Sequence, residues 1–276
     1  MAGIQTGSTL LYLILLRKRD LLKSPVRKKC TPGSVRGWRS NPLFYLDCEM
    51  LEKSIEDERE MKVGVLLSGC GLGDGSQVEE VMLTYLALDK YGIDYTVIAP
   101  DKLQFDVINH MTEKEQNEGR NILIESARIG RGRIKNLKMA MDEELDALIL
   151  PGGLGVFKNL SDYIIKRENF KVDESVKELI CKFYKAKKPV LGICGSVILI
   201  PKSLEGMGKR IKIATANNAY ENLLVSLNCE LQNCKANEIV FDKENKVIST
   251  PAFLASQNMN EVYEGIDRMI KKLIDK

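Results

Sequence analysis

The stretch Lys188-Pro189-Val190-Leu191-Gly192-Ile193-Cys194-Gly195-Ser196-Val197 decides how this chain reads. An apolar strand runs into a Gly-x-Cys-Gly turn, and an apolar helix follows. A turn this tight needs small residues beside the nucleophile, because the backbone there is strained. It leaves the side chain at the carboxyl end of a strand, where open α/β sheets bind ligands. The N-terminus of the following helix favours a thiolate. Cys194 is therefore the candidate nucleophile. The plainer alternative is a buried cysteine that ends a strand.

Working outward, strand and helix alternate from Met61 onward. Strands are expected at Lys62 to Ser68, Asp94 to Ala99, near Ile134 to Leu137, at Ala147 to Leu150 and at Pro189 to Ile193. Helices are expected at about Gln77 to Tyr91, Glu118 to Ile129, Asp173 to Ala186 and Asn260 to Ile274. Glu238 to Phe241 and Lys246 to Thr250 flank a turn at Asp242 to Asn245. This alternation predicts an α/β fold with a mostly parallel sheet covered on both faces.

Two further loops fall at strand ends. Pro151-Gly152-Gly153-Leu154-Gly155 could turn backbone N–H groups toward the thiol and hold a developing oxyanion, with Gly153 and Gly195 as the natural donors and Gly152 beside them. Ser68-Gly69-Cys70-Gly71-Leu72-Gly73-Asp74-Gly75-Ser76 lacks both the Gly-x-Gly-x-x-Gly register and a Gly-Lys-Ser/Thr ending, so it does not read as a nucleotide loop. It reads as the mouth of a pocket, with Cys70 near it or simply packed.

The helix that follows brings Glu79 and Glu80. Ser76-x-x-Glu79 has the capping-box pattern, which leaves Glu80 as the better partner for the thiol. A carboxyl held protonated there could shuttle a proton during attack on a carbonyl. His110 is the chain's single histidine and precedes Cys194. A Cys-His-Glu triad in the usual order of a glutaminase therefore cannot be built, and His110 enters only as a possible pocket residue.

The chain has 276 residues, 41 Lys+Arg and 38 Asp+Glu. Residues 1–60 hold 11 basic and 8 acidic residues, which leaves 30 of each for residues 61–276. The net charge of +3 belongs to the extension, and a neutral domain argues against nucleic acid as the main partner. No run approaches the roughly 18 apolar residues of a membrane helix. The seven cysteines form no Cys-x-x-Cys, and Cys229 and Cys234 have no histidine nearby. Neither a disulfide framework nor a zinc site is expected, and no cofactor. Residues 1–46 carry nine basic residues against one acid, Asp20, which suits an organelle presequence or a basic tail. The expected division is therefore a largely disordered extension over 1–60 and an α/β domain over 61–276.

Several separated stretches resemble the ElbB branch of the PfpI superfamily of class I glutaminase-like folds. They include Val65-Leu66-Leu67-Ser68-Gly69-Cys70-Gly71, Ala99-Pro100-Asp101-Lys102, Glu125-Ser126-Ala127-Arg128-Ile129, Lys158-Asn159-Leu160-Ser161 and Asn245 to Ala252. The resemblance implies a flavodoxin-like three-layer sandwich, usually a homodimer, with Cys194 as nucleophile and Glu80 as the acid. It also implies a cofactor-free, glyoxalase- or deglycase-type activity on small reactive carbonyls. A redox-sensing or stress-binding protein using the same cysteine is the rival reading. Eukaryotic members of the branch are mitochondrial, which favours a presequence; otherwise the protein is cytoplasmic. Relatives follow the elbow cysteine with Ile-Ala-Pro, whereas this chain has Gly195-Ser196-Val197, so the wall beside the thiol must differ.

Overall fold

The computed structural model describes residues 61–208, 210–216 and 220–275; the extension over 1–60 lies outside them. In chain order the strands are β1 Lys62–Leu66, β2 Asp94–Ala99, β3 Ile108–Asn109, β4 Lys114–Glu115, β5 Ile134–Asn136, β6 Ala147–Leu150, β7 Val190–Ile193, β8 Ile211–Thr215, β9 Cys229–Asn233, β10 Val240–Asp242 and β11 Val247–Thr250. The helices are α1 Val78–Lys90, α2 Ile122–Ile129, α3 Leu137–Ala140, α4 Gly155–Lys158, α5 Tyr163–Lys166, α6 Glu174–Lys185, α7 Leu199–Ser203, α8 Glu221–Ser226 and α9 Met259–Ile274.

Seven strands form one sheet in the order β10-β11-β7-β6-β1-β2-β5, parallel throughout except for β10 against β11. The central strands are buried on both faces, which explains their continuous apolar runs. Alternate residues feed two separate cores. Val63, Val65, Ala147, Ile149, Leu191, Ile193 and Ile248 pack with α1 and α9. Leu66, Leu148, Leu150, Val190 and Val247 pack with Val176, Leu179, Ile180 and Phe183 of α6. The result is the expected three-layer, flavodoxin-like sandwich.

The helix starts are set locally. Asn121 caps α2 by accepting the Ile124 N–H, Asp173 caps α6 by accepting the Ser175 and Val176 N–H groups, and Asn258 caps α9. The expected Ser76–Glu79 capping box is absent. The N-cap of α1 is Gln77, without a side-chain cap. Ser76 Oγ turns inward instead and accepts the Ser68 N–H at 2.8 Å, closing the Gly-rich loop onto the end of β1. Helix α2 also starts later than expected, at Ile122, because Asn121 takes the cap.

Two pairings escape the strand pattern. The hairpin β3–β4 carries His110 in its turn, and β8 runs parallel to β9 as a second small sheet beside β10 and β11. Side chains satisfy the inner edge of β8: the Lys212 N–H donates to Asp242 Oδ2 at 2.9 Å, and the Ala214 N–H donates to Ser249 Oγ at 2.9 Å. Among the described residues, no helix is long and apolar enough to cross a membrane.

Candidate active site

Four strand ends and one helix start converge on Cys194. The cysteine follows β7 directly, with φ +57°, a left-handed conformation that L-residues adopt only when their surroundings hold them in it. Ser196 supplies that hold. Its hydroxyl, fully buried, accepts the Ile193 N–H at 2.9 Å and meets the carbonyls of Leu150 and Ile193. The residue two positions past the nucleophile thus ties the elbow to the end of β6. Gly192 lets the turn fold back, since a Cβ there would lie 3.1 Å from Val197 Cγ1.

Glu80 comes from the first turn of α1 and is completely buried. The Gly152 N–H donates to its Oε2 at 2.7 Å, and the Gln77 N–H donates to the Gly152 carbonyl at 2.9 Å, so the loop after β6 and the start of α1 are doubly tied. Gly152 must be glycine: a Cβ there would stand 2.8 Å from both Cys194 Cβ and Glu80 Oε2. Carboxyl and thiol therefore face one another across a space that excludes even a methyl group.

The electrostatics follow from that closeness. Burial above all raises the Glu80 carboxyl to about 7, against the pull of its hydrogen bonds from Gly152 and Cys194. Burial first, and then the Glu80 charge, hold the Cys194 thiol well above the usual cysteine range. The backbone N–H groups of Gly195 and Leu254 oppose this and pull the thiol down, the Leu254 N–H while it donates to the Pro251 carbonyl at 3.1 Å. Leu254 belongs to the turn Ala252–Leu254 after β11, which packs on the elbow and whose Phe253 N–H faces Glu80. Sequence reasoning did not assign this turn a role. The adjoining Thr250-Pro251-Ala252 was its only signal.

The other expected residues separate. The Gly152 N–H is engaged by Glu80, so its part is to hold the carboxyl, while the Gly153 N–H makes no hydrogen bond among the described residues. Glu79 is half-buried beside Glu80. Cys70 is also half-buried and borders the same apolar cluster as Cys194, with its thiol pushed up by burial and by Glu125. His110 engages Gly73 and Ile108: its Nε2 accepts the Gly73 N–H at 3.0 Å and its Nδ1 meets the Ile108 carbonyl at 3.0 Å. It braces the Gly-rich loop and makes no contact with the thiol. Among the described residues, no group of three His, Cys, Asp or Glu is placed to hold a metal ion.

This arrangement sets a thiol beside a buried carboxyl that can take its proton, with backbone N–H groups favouring the charged form of each. Three comparisons bear on it. The chain is 34% identical over 226 residues to the ES1 protein homolog, mitochondrial, of Rattus norvegicus, covering 78% of this chain and 83% of that one. It is 32% identical over 225 residues to the Homo sapiens glutamine amidotransferase-like class 1 domain-containing protein 3, mitochondrial, covering 78% and 82%. The crystal structure of an Ehrlichia chaffeensis isoprenoid biosynthesis protein with an amidotransferase-like domain superposes with a TM-score of 0.72 at 32% identity, covering 78% of this chain and 99% of the other. No family model matches the chain.

Proposed function

The chain belongs to the ElbB-like ES1 branch of the PfpI and class I glutaminase-like superfamily, and from that premise we propose that it is a cofactor-free enzyme of the glyoxalase or deglycase type, acting on small reactive carbonyls. The observation that carries this reading is the Cys194–Glu80 pair: a strained elbow thiol facing a buried carboxyl whose proton affinity sits near neutral pH. A histidine base is not needed when the neighbouring acid itself titrates around 7.

The steps are those the pair allows. The Glu80 carboxylate takes the Cys194 proton, the resulting thiolate attacks the aldehyde carbon of an α-oxoaldehyde, and the carbonyl electron pair moves to oxygen, where the N–H groups of Gly195 and Gly153 can receive it. Glu80 gives its proton to that oxygen and a hemithioacetal results. The Glu80 carboxylate then takes the hydrogen from the carbon bearing sulfur, an enediol forms, and the proton returns to the neighbouring carbon. The product of this shift is a thioester of a 2-hydroxy acid. Water adds to the thioester carbon, the carbon–sulfur bond breaks, and the free acid leaves while sulfur regains its proton. The net change is one aldehyde plus one water to one hydroxy acid, with no external oxidant.

The test is turnover of glyoxal and methylglyoxal by the purified protein, followed as glycolate and lactate, with Cys194→Ala beside it. At least a thousandfold loss in the variant is expected, and turnover that survives the substitution would sink the mechanism. No turnover, together with fast peroxide oxidation of Cys194, would favour the redox-sensing reading. The names of the relatives carry "mitochondrial", and the basic composition of residues 1–46 suits import; mitochondrial residence of a tagged full chain is part of this proposal. So is a homodimer, for which sedimentation should report twice the chain mass of 31.0 kDa.

A further inference from the structure

The residue after the nucleophile is glycine, and another side chain fills the space that its own would take. A Cβ on Gly195 would lie 2.5 Å from Cζ and 2.9 Å from Cε2 of Phe157, far inside any real contact. Phe157 stands on α4, the short helix after the Gly152-Gly153 loop, and is 5% exposed. Its ring stacks on Tyr220, with centroids 5.0 Å apart and planes 27° apart, and tilts against Tyr163 at 5.4 Å. Tyr163 in turn meets Tyr220 edge-on at 6.2 Å. Three rings thus form one wall that reaches the elbow through Gly195, with Phe157 buried and Tyr163 and Tyr220 half-buried. After burial, the charge of Cys194 contributes most to holding the Tyr220 hydroxyl up at about 12.

We infer that Phe157 and Tyr220 form the specificity wall of the Cys194 pocket, that the missing side chain at Gly195 is what admits the wall, and that the wall selects carbonyls bearing a flat aromatic substituent. Aromatic rings favour offset stacking on an exposed ring face, which an alkyl group cannot match. Any side chain at position 195 would displace Phe157, and with it the ring on which Tyr220 rests. The substrate class rests on the carbonyl reading above. The wall itself does not, and the two can be tested apart.

The first arm needs only the thiol. Cys194 of the full chain is labelled with iodoacetamide and with 2-iodo-N-phenylacetamide, and the rates are compared as a ratio of aryl to small reagent. Tyr220→Ala should lower that ratio at least tenfold, and an unchanged ratio overturns the wall. The second arm measures kcat/KM for phenylglyoxal over methylglyoxal. A tenfold fall of this ratio in Tyr220→Ala is expected, and equal loss on both substrates overturns the aromatic preference. Should neither aldehyde turn over while the labelling ratio still falls, the carbonyl reading fails and the wall stands. The steric link is tested by thermal unfolding. Gly195→Ala should lower Tm by several degrees, and adding Phe157→Ala to it should restore part of that loss, whereas additive losses overturn the link.

Discussion

At the scale of single residues, Glu80 and Cys194 stand side by side in a space closed by Gly152 and each bears on the other's charge, so their protons come off as a pair. The first proton should leave near neutral pH and the second far higher, because two adjacent buried charges repel. Alkylation of Cys194 is therefore expected to rise in two steps with pH in the native protein and in one step in Glu80→Gln. A single step in both proteins would show the pair to be uncoupled. The same carboxyl predicts a stability trend. Its folded pKa of about 7 lies above the usual 4.5, so the folded chain keeps a proton that the unfolded chain sheds, and stability falls as pH rises across that interval. The full penalty is on the order of 3 kcal/mol, fully developed only above pH 7. Urea unfolding at pH 5 and pH 8 should show the native protein losing roughly 2–3 kcal/mol more between the two than Glu80→Gln does.

At the scale of elements, the elbow depends on one hydroxyl. Ser196 satisfies the Ile193 N–H and the Leu150 carbonyl, and both are buried. Ser196→Ala leaves these groups without partners and is expected to cost about 1–3 kcal/mol in urea unfolding, with slower labelling of Cys194 as the strained turn relaxes. A loss below ~0.5 kcal/mol would show that the backbone holds the elbow alone. The strand and helix pattern was legible here because β1, β6 and β7 are short apolar runs bounded by glycine and proline, while α6 has an apolar stripe of Val176, Leu179, Ile180 and Phe183. The pair β8–β9 was not legible. Lys212, Glu230 and Gln232 interrupt it, and the side chains of Ser249 and Asp242 complete its edge from far along the chain. The Ser76 cap failed for a related reason: a serine that can cap a helix can equally tie a loop, and only the packed Gly-rich loop decides between them.

At the scale of the whole molecule, the site exists because a parallel sheet brings its carboxyl ends to one rim. The ends of β1, β6, β7 and β11 supply the Gly-rich loop, the Gly152 loop, Cys194 and the Leu254 turn respectively. The reaction as derived asks only for backbone N–H groups and two side chains. Turnover should therefore stay within twofold after dialysis against a chelator, and a large loss restored by a divalent metal would overturn the reading. Residues 61–276 should also unfold cooperatively by themselves, with a single transition by circular dichroism and by fluorescence, because both cores are built within them.

What the sequence by itself determined is local. Strands, helices, the elbow and the nucleophile follow from short-range periodicity and from the small residues that a strained turn demands, and Glu80 follows from its place in the first turn of α1. What only the tertiary structure decided is who faces whom. Gly152 holds a carboxyl, the Leu254 turn packs on the elbow from the far end of the chain, and Phe157, with Tyr220 stacked on it, stands where a side chain at Gly195 would be. Those contacts join residues tens of positions apart across different strands. Close packing, which leaves room for one side chain and not two, sets them, and no local pattern in the chain encodes it.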